Sequence, residues 1–470
     1  MESQNSKVIL ESPEPMKVAQ WLLDTRFTAD ASVPALVYFN GEWWEWFKDR
    51  WHVRDQEWLQ DQVYPALEDA TYLRETQHGT VRKRLSPTPE LVRGVLQALR
   101  SKARRDYRET PVWLRGHREK PSPADQVAFD NSLYDLKTGK QMVRDATWFD
   151  HQVLPVELDP NAKCPLWLKC LEQWSCGDED WKTLLQRWFG YCLMNHRNYD
   201  KWLLMYGKSR AGKGVIARML KRLLGETVMV SRSLEDLNGE FGLQGLQRAR
   251  VLNLTELNEL DAKSAGRVAS IIKRVVGRDP QRINIKHGKA LENVIINAAI
   301  MVQTNEIPKL PDVRGGVSNK MLVLPFNWSA LDAGNKPDPD LDNKLAEELQ
   351  GVAMWALEGA KALVRGEGWP TVASAEAAME VYESENNIFD SFLNDRCVRS
   401  EEGFVATALL WEEWRDWCRK HQVETRVDRI RLRSRLIDGS TWGLRATVRN
   451  NGRTKGLVGL SLKKEVNDAG

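Results

Sequence analysis

Several things are missing from this sequence, and each absence narrows what it can do. No apolar run in the 470 residues approaches the ~20 needed to cross a bilayer. The N-terminus carries no basic segment followed by an apolar stretch, so a secretory signal is not expected. Six cysteines (Cys164, Cys170, Cys176, Cys192, Cys397, Cys418) form no Cys-x-x-Cys pair, and no histidine stands at matching spacing. That argues against a zinc site or a disulfide frame. Reduced, mostly buried thiols in a soluble cytoplasmic protein are expected instead. No internal repeat and no low-complexity tract is visible. Nor is there a chain-wide charge bias. The formal net charge is +3, so any attraction for a polyanion must be local.

Tryptophan, by contrast, is abundant, with 20 in the chain. Trp167, Trp174, Trp181 and Trp188 recur at helical spacing, which reads as core and interface packing rather than base stacking. The length suggests about three domains. A mixed α+β region is expected through residue 158. It should hold a hairpin over Val37–Trp46 turning at Asn40-Gly41, helices over Gln56–Leu67 and Thr88–Lys102, and a strand and turn from Phe129 to Gly139. Helical period from Cys164 to Asn195 predicts two packed helices within residues 159–200. From Lys201 to about residue 330, short β-type runs (Trp202–Tyr206, Val228–Ser231, Arg250–Leu254, Ile300–Thr304, Met321–Leu324) alternate with helices. Such alternation predicts an α/β core with a mainly parallel sheet. Leu341–Arg365 reads as one amphipathic helix in a helical segment spanning 331–400. In residues 401–470, a Trp-rich helix (Leu409–His421), a basic helix (Val427–Leu436) and a hairpin (Gly443–Val448, Gly456–Leu462) follow in the order of a winged helix.

The most specific motif is Lys201-Trp-Leu-Leu-Met-Tyr-Gly-Lys-Ser-Arg-Ala-Gly-Lys-Gly214, an apolar strand, a glycine-bounded loop and the start of a helix. Gly207, Lys208, Ser209, Arg210, Ala211, Gly212, Lys213, Gly214 and Val215 have the spacing of a phosphate-binding loop. Glycine lets the backbone turn its N–H groups toward phosphate oxygens, and the following helix offers its N-terminal dipole to the same anion. Lys213 would reach the terminal phosphates. Downstream, Arg250-Val-Leu-Asn-Leu-Thr-Glu256 is a strand ending in an acid. Glu256 is the candidate base that polarises water, with Thr255 and Glu256 the indirect partners of magnesium. Ile300-Met-Val-Gln-Thr-Asn305 is a second such strand, and Asn305 could orient the attacking water. Between them, Gln281–Ala290 reads as a hairpin whose tip, with Lys286, His287 and Lys289, makes a phosphate hook.

In this order, the phosphate loop, the Glu strand, the basic hairpin and the strand ending Thr304-Asn-Glu-Ile-Pro308 resemble superfamily III helicases. Similarity is greatest to the phage, plasmid and poxvirus-type primase–helicase family. Leu237–Leu243, Gly277–Pro280, Asp338–Leu345, Trp355–Gly359 and Pro155–Trp167 also resemble it, so the likeness runs from about residue 37 to the C-terminal module. It implies an AAA+ P-loop core over 201–330 with a helical collar at 159–200. It further implies a homo-oligomeric ring, a hexamer, that is driven by ATP and magnesium. Single-stranded DNA would pass a central channel lined by Lys286 and His287. A finger in trans is implied at Lys320, with Arg314 close enough to substitute. A bacterial host's cytoplasm would be the setting. Residues 1–150 lack the clustered aspartates of the family's primase domain, so a separate primase or polymerase is the expected partner.

The sequence departs from the family pattern at three places. Gly214 stands where a magnesium-binding Ser or Thr is usual, Thr255 where a second acid is usual, and Lys320 where arginine is usual. Lysine supplies charge without the guanidinium fork. The local charge is clearer. From Phe404 to Gly470 there are 14 Lys and Arg against 8 Asp and Glu, an excess of six. A basic module on a near-neutral chain is a footprint for duplex DNA, and Arg429, Arg431 and Arg433 lie in the helix expected to read it. Two functions are therefore expected to compete. One is a DNA helicase or translocase of a mobile element. The other is an assembly or loading protein that binds ATP and hydrolyses little.

Overall fold

A computed structural model describes residues 9–463, apart from positions 11, 30–32, 40, 106–109, 116–119, 256–261, 306–307, 309, 311–315, 331–333, 335–337, 387, 422, 424–426, 441 and 450–451. The chain is mixed α/β and divides into two compact units, Met1–Leu158 and Asp159–Gly470.

In the first unit, strands Leu36–Phe39, Glu42–Phe47 and Arg50–Arg54 form an antiparallel meander. Its second turn, at Lys48 and Asp49, uses positive φ without a glycine, which is why the sequence pattern did not announce it. Helices Pro15–Thr25 and Pro89–Ala103 pack together over a core that includes Val18, Leu22, Val95 and Leu99. Thr88 starts the second of these helices by accepting from the Leu91 N–H at 3.3 Å. The hairpin Thr71–Thr76 and Gly79–Arg84 was not expected either. Its second strand is fully exposed, so no apolar alternation marks it.

The second unit begins with helices α1 (Pro165–Trp174) and α2 (Glu179–Leu193). All four tryptophans read as packing residues are buried here. Trp167, Trp174, Phe189 and Trp355 make edge-to-face or tilted contacts. Five strands follow: β1 (Trp202–Gly207), β2 (Met229–Ser233), β3 (Val251–Thr255), β4 (Ala299–Thr304) and β5 (Met321–Phe326). They form one sheet in the order β2-β3-β4-β1-β5, every neighbouring pair parallel. Near-continuous burial along β1, β3, β4 and β5 is what a sheet covered on both faces requires. Helix α3 (Lys213–Leu224) leaves β1, and α4 (Ala262–Val276) lies between β3 and β4 in the chain.

The long helix expected over 341–365 is two helices, α5 (Leu341–Glu347) and α6 (Leu349–Val364). The break falls at Glu348. Its carboxylate turns to accept the Leu166 and Trp167 N–H groups, both at 2.9 Å, and so caps the start of α1. Helix α6 then packs on α2 so closely that only glycine fits at Gly190 and Gly359.

Toward the C-terminus, helices Thr407–Lys420 and Arg429–Gly439 precede strands Arg445–Arg449 and Thr454–Leu462. A strand that the sequence did not mark, Cys397–Ala406, pairs along Thr454–Leu462 and makes the sheet three-stranded. It crosses position 401, and Ile388, Phe389, Phe392 and Leu393 share the core with Trp414, Leu432 and Leu457. The apolar body of this module therefore starts near residue 388. Five of the six cysteines are buried. Among the described residues no helix is long and apolar enough to cross a membrane, and no group of three His, Cys, Asp or Glu side chains could hold a metal ion.

Candidate functional site

The parallel sheet places its functional edge by topology. The chain leaving β1 travels toward the β2 side, and the chain leaving β4 travels toward β5. Neighbouring strands whose connections depart in opposite directions open a crevice beyond their carboxyl ends. The loop 207–213 and Asn305 both emerge into that crevice.

Two glycines give the loop its shape. Gly207 has φ +135°, and a Cβ there would lie 2.3 Å from the Phe326 carbonyl oxygen. Gly212 has φ +101° and precedes α3. A Cβ there would lie 2.5 Å from the indole of Trp174 on α1. The loop is further tied down by Lys208 N–H donating to the Phe326 carbonyl (3.1 Å) and by the Ser329 hydroxyl donating to the Ser209 carbonyl (3.0 Å). No side chain caps the first turn of α3, which leaves its N-terminal dipole facing the cleft.

Lys213 is folded into this loop. Its ammonium donates to the Gly207 and Lys208 carbonyls, both at 2.7 Å, and to Asn305 Oδ1 at 2.9 Å. Asn305 Nδ2 in turn donates to the Ser209 hydroxyl at 3.3 Å. Burial pushes the Lys213 pKa down to about 8, because a desolvated ammonium loses stabilisation by water. One step beneath, Gln303 donates to Asn253 Oδ1 (2.7 Å), and Asn253 donates to the Ser231 hydroxyl (3.3 Å). A polar ladder thus links β4, β3 and β2 below the crevice.

The cleft over the loop has a volume of about 780 Å³. Leu166, Cys170, Trp174, Trp328 and Leu341 make one side apolar, and Lys169, Arg210, Lys213 and Arg218 bring positive charge. Most of these residues were missed by sequence reasoning. Trp174 was read only as core. Arg218 carried no signal beyond helical spacing, and Asp342 lay in a stretch quoted for likeness without a role.

Gly214 is open in an unexpected way. A Cβ there would lie 3.1 Å from Arg218 Nη1. The same guanidinium is held by Asp342, with Nε and Nη2 both 2.9 Å from Oδ2. Arg222 donates to the Asp342 carbonyl as well. Gly214 and Val215 have no side-chain oxygen, so the described residues at this spot do not fit a magnesium ligand set.

Other expected site residues lie elsewhere. Thr255 ends β3 at the same sheet edge as Asn305, while Glu256 and Arg314 fall outside the described residues. Lys320 immediately precedes β5, level with Lys201 in the register. It is therefore one strand length from Gly207, about 20 Å, and cannot reach its own chain's loop. There it faces Asp200 at 3.5 Å beside Arg278. The basic hairpin is formed by Gln281–Ile283 and Leu291–Val294. Lys286, His287 and Lys289 are exposed at its tip, and His287 adopts φ 57°. The tip rests on the 240–244 loop, through Asn284 to the Glu240 carbonyl (3.4 Å) and the Lys286 N–H to Gln244 (3.1 Å). On Arg429–Gly439, Leu432 and Leu436 point into the core. Arg429 and Arg431 are exposed, and Arg433 is half-buried.

Residues 205–317 match a family of unknown function, DUF5906. Among solved structures, the chain is similar to the A form apo structure of the NrS-1 C-terminal region. Identity is 13%, with a TM-score of 0.48, covering 96% of this chain and 100% of that one. A second apo structure, of NrS-1 residues 305–718, gives 14% identity and a TM-score of 0.47 over 96% and 100% of the two chains. Likeness at this level carries no functional weight, so the functional reading rests on the residues themselves.

Proposed function

We propose that this chain binds a nucleoside triphosphate in the crevice between β1 and β4 and uses it to move along DNA. In this reading it is a ring-forming AAA+ helicase or translocase of superfamily III type. It would serve replication of a phage, plasmid or other mobile element in a bacterial cytoplasm, with a separate primase or polymerase as partner. One observation carries the reading: Lys213 sits inside a glycine-shaped loop, held by the loop's own carbonyls and by Asn305. Those carbonyl bonds are ones a bound phosphate would replace. The apolar side of the cleft suits a planar base. Asn305, bonded to both Lys213 and Ser209, would orient water at the terminal phosphate, and Glu256 is the proposed base. Lys320 suits a role in trans because its own loop is out of reach.

DNA would be held at two places. Lys286, His287 and Lys289 would grip single-stranded backbone inside a hexameric ring. The C-terminal module, read as a winged helix, would hold duplex through Arg429 and Arg431. Replacing both Lys286 and His287 by alanine should abolish unwinding of forked DNA and leave ATP binding unchanged. Normal unwinding by that double variant would remove the hairpin from the mechanism. Negative-stain images with ATP and forked DNA test ring and substrate together. Closed rings seated on the fork are expected, and dispersed single chains would contradict the reading. Gly214 favours a second reading, an assembly or loading protein that binds ATP and hydrolyses little.

The low pKa of Lys213 adds a pH signature. A bound polyphosphate stabilises the ammonium, so its pKa rises above about 8 on binding. Between the two values the complex holds more protons than the empty chain. ATP binding should therefore take up protons and weaken as pH rises through 8. Calorimetry in buffers of different ionisation enthalpy measures this directly. A buffer-independent enthalpy at about pH 8.5 would contradict the placement of Lys213 at the phosphates.

A further inference from the structure

We propose that Arg218 stands beside the position of the metal-ligating hydroxyl that this loop lacks and supplies positive charge in place of the metal. The cleft would then accept the polyphosphate of a nucleotide without a divalent cation. The inference rests on the nucleotide reading above and deepens it.

Arg218 lies one helical turn after Gly214, so the two share a face of α3. Helical side chains lean back toward the N-terminus, which carries the guanidinium up beside position 214. Its Nη1 stands 3.1 Å from where a Cβ would be. A serine or threonine at 214 would meet this donor and shift it by only a fraction of an ångström. Glycine leaves the guanidinium directly beside the backbone, with no side chain between them.

The rest of the cleft agrees. Of the described side chains lining it, four are cationic (Lys169, Arg210, Lys213, Arg218) and two are carboxylates (Asp338, Asp342). Asp338 is taken by Lys344 at 2.6 Å, and Asp342 by Arg218. Among the described residues the cleft is thus positive without a metal, and no acidic cluster is present to hold one. Both Arg218 bonds to Asp342 use Nε and Nη2, and Nη1 is the guanidinium nitrogen beside Gly214 in the first turn of α3. Asp342 opens α5. It acts as a rival to the phosphates, holding the guanidinium while the cleft is empty.

The test is ATP affinity of the intact chain by calorimetry, in magnesium and in EDTA, for wild type, Arg218→Ala, Arg218→Lys and Asp342→Asn. Wild type should bind in EDTA within about tenfold of its magnesium affinity. Arg218→Ala should lose about tenfold or more in EDTA, the scale of a charge-assisted hydrogen bond. Lysine should recover part of that loss, since it restores charge without the fork. Asp342→Asn should bind more tightly than wild type, because it frees the guanidinium from an ion pair. Arg218 is exposed, so its variants should melt as wild type does, and the melting curves are recorded alongside. Binding in magnesium alone, or equal EDTA affinity for wild type and Arg218→Ala, would overturn the inference and leave the nucleotide reading standing. Weaker binding by Asp342→Asn would overturn the rivalry. No ATP binding in either buffer would overturn both.

Discussion

Replacing Lys213 by alanine is expected to weaken ATP binding by roughly a hundredfold or more, from the ~3 kcal/mol scale of charge-assisted hydrogen bonds in a shielded site. Lys213 is 9% exposed, and its ammonium donates to the loop's own carbonyls. Lys169 and Arg218 cannot substitute for it, because they stand on α1 and further along α3 beside the cleft rather than within the loop. The fold should survive. Two effects oppose each other in its stability. Removing a half-desolvated charge relieves a penalty, as the downward pKa records. Against that, Asn305 and two carbonyls lose a donor, although they border an open cleft where water can serve. Calorimetry with ATP and a melting curve together separate loss of the ligand from loss of the fold. Equal ATP affinity in the two proteins would take the loop out of the function altogether.

The second large effect concerns the scaffold behind the site. Gly359→Ala should destabilise the Asp159–Gly470 unit by roughly 3 kcal/mol, at the upper end of what overpacking costs. Helix propensity alone argues the other way, since alanine is better than glycine by about 1 kcal/mol in a helix interior. Contact decides the sign. A Cβ at 359 would lie 2.1 Å from the Gln186 carbonyl oxygen, and one at 190 would lie 2.1 Å from the Ala360 amide nitrogen. Backbone is met on both sides, so no rotamer can yield, and α2 and α6 must move apart. Phe189 on α2 and Trp355 on α6, packed edge to face beside this contact, would separate with them. Denaturant unfolding measures the loss. Stability equal to wild type or greater would mean the two helices are not packed this closely.

Much of the second unit was legible because its signals are local. The five strands are short apolar runs bounded by helices, and each lies within two residues of its expected span. Loop 207–213 was legible for another reason: only glycine tolerates the backbone that Gly207 and Gly212 adopt. What escaped was set by contacts far apart in sequence. Nothing near Glu348 says that it caps a helix more than 180 residues earlier, so the break between α5 and α6 could not be read. Strand Cys397–Ala406 is largely exposed along its polar middle and pairs only with Thr454–Leu462. Arg218 shows the limit most clearly. Its meaning depends on the absence of a side chain at Gly214 and on Asp342, which the chain brings in only after the last strand of the sheet.

The central claim is that this cleft turns over ATP in order to move on DNA. Steady-state ATP hydrolysis by the intact chain, with and without single-stranded DNA, tests it most directly. Hydrolysis that DNA accelerates, and that both Lys213→Ala and Glu256→Gln abolish, is the predicted result. Tight ATP binding with no turnover, on or off DNA, would contradict the motor and leave the assembly reading in its place.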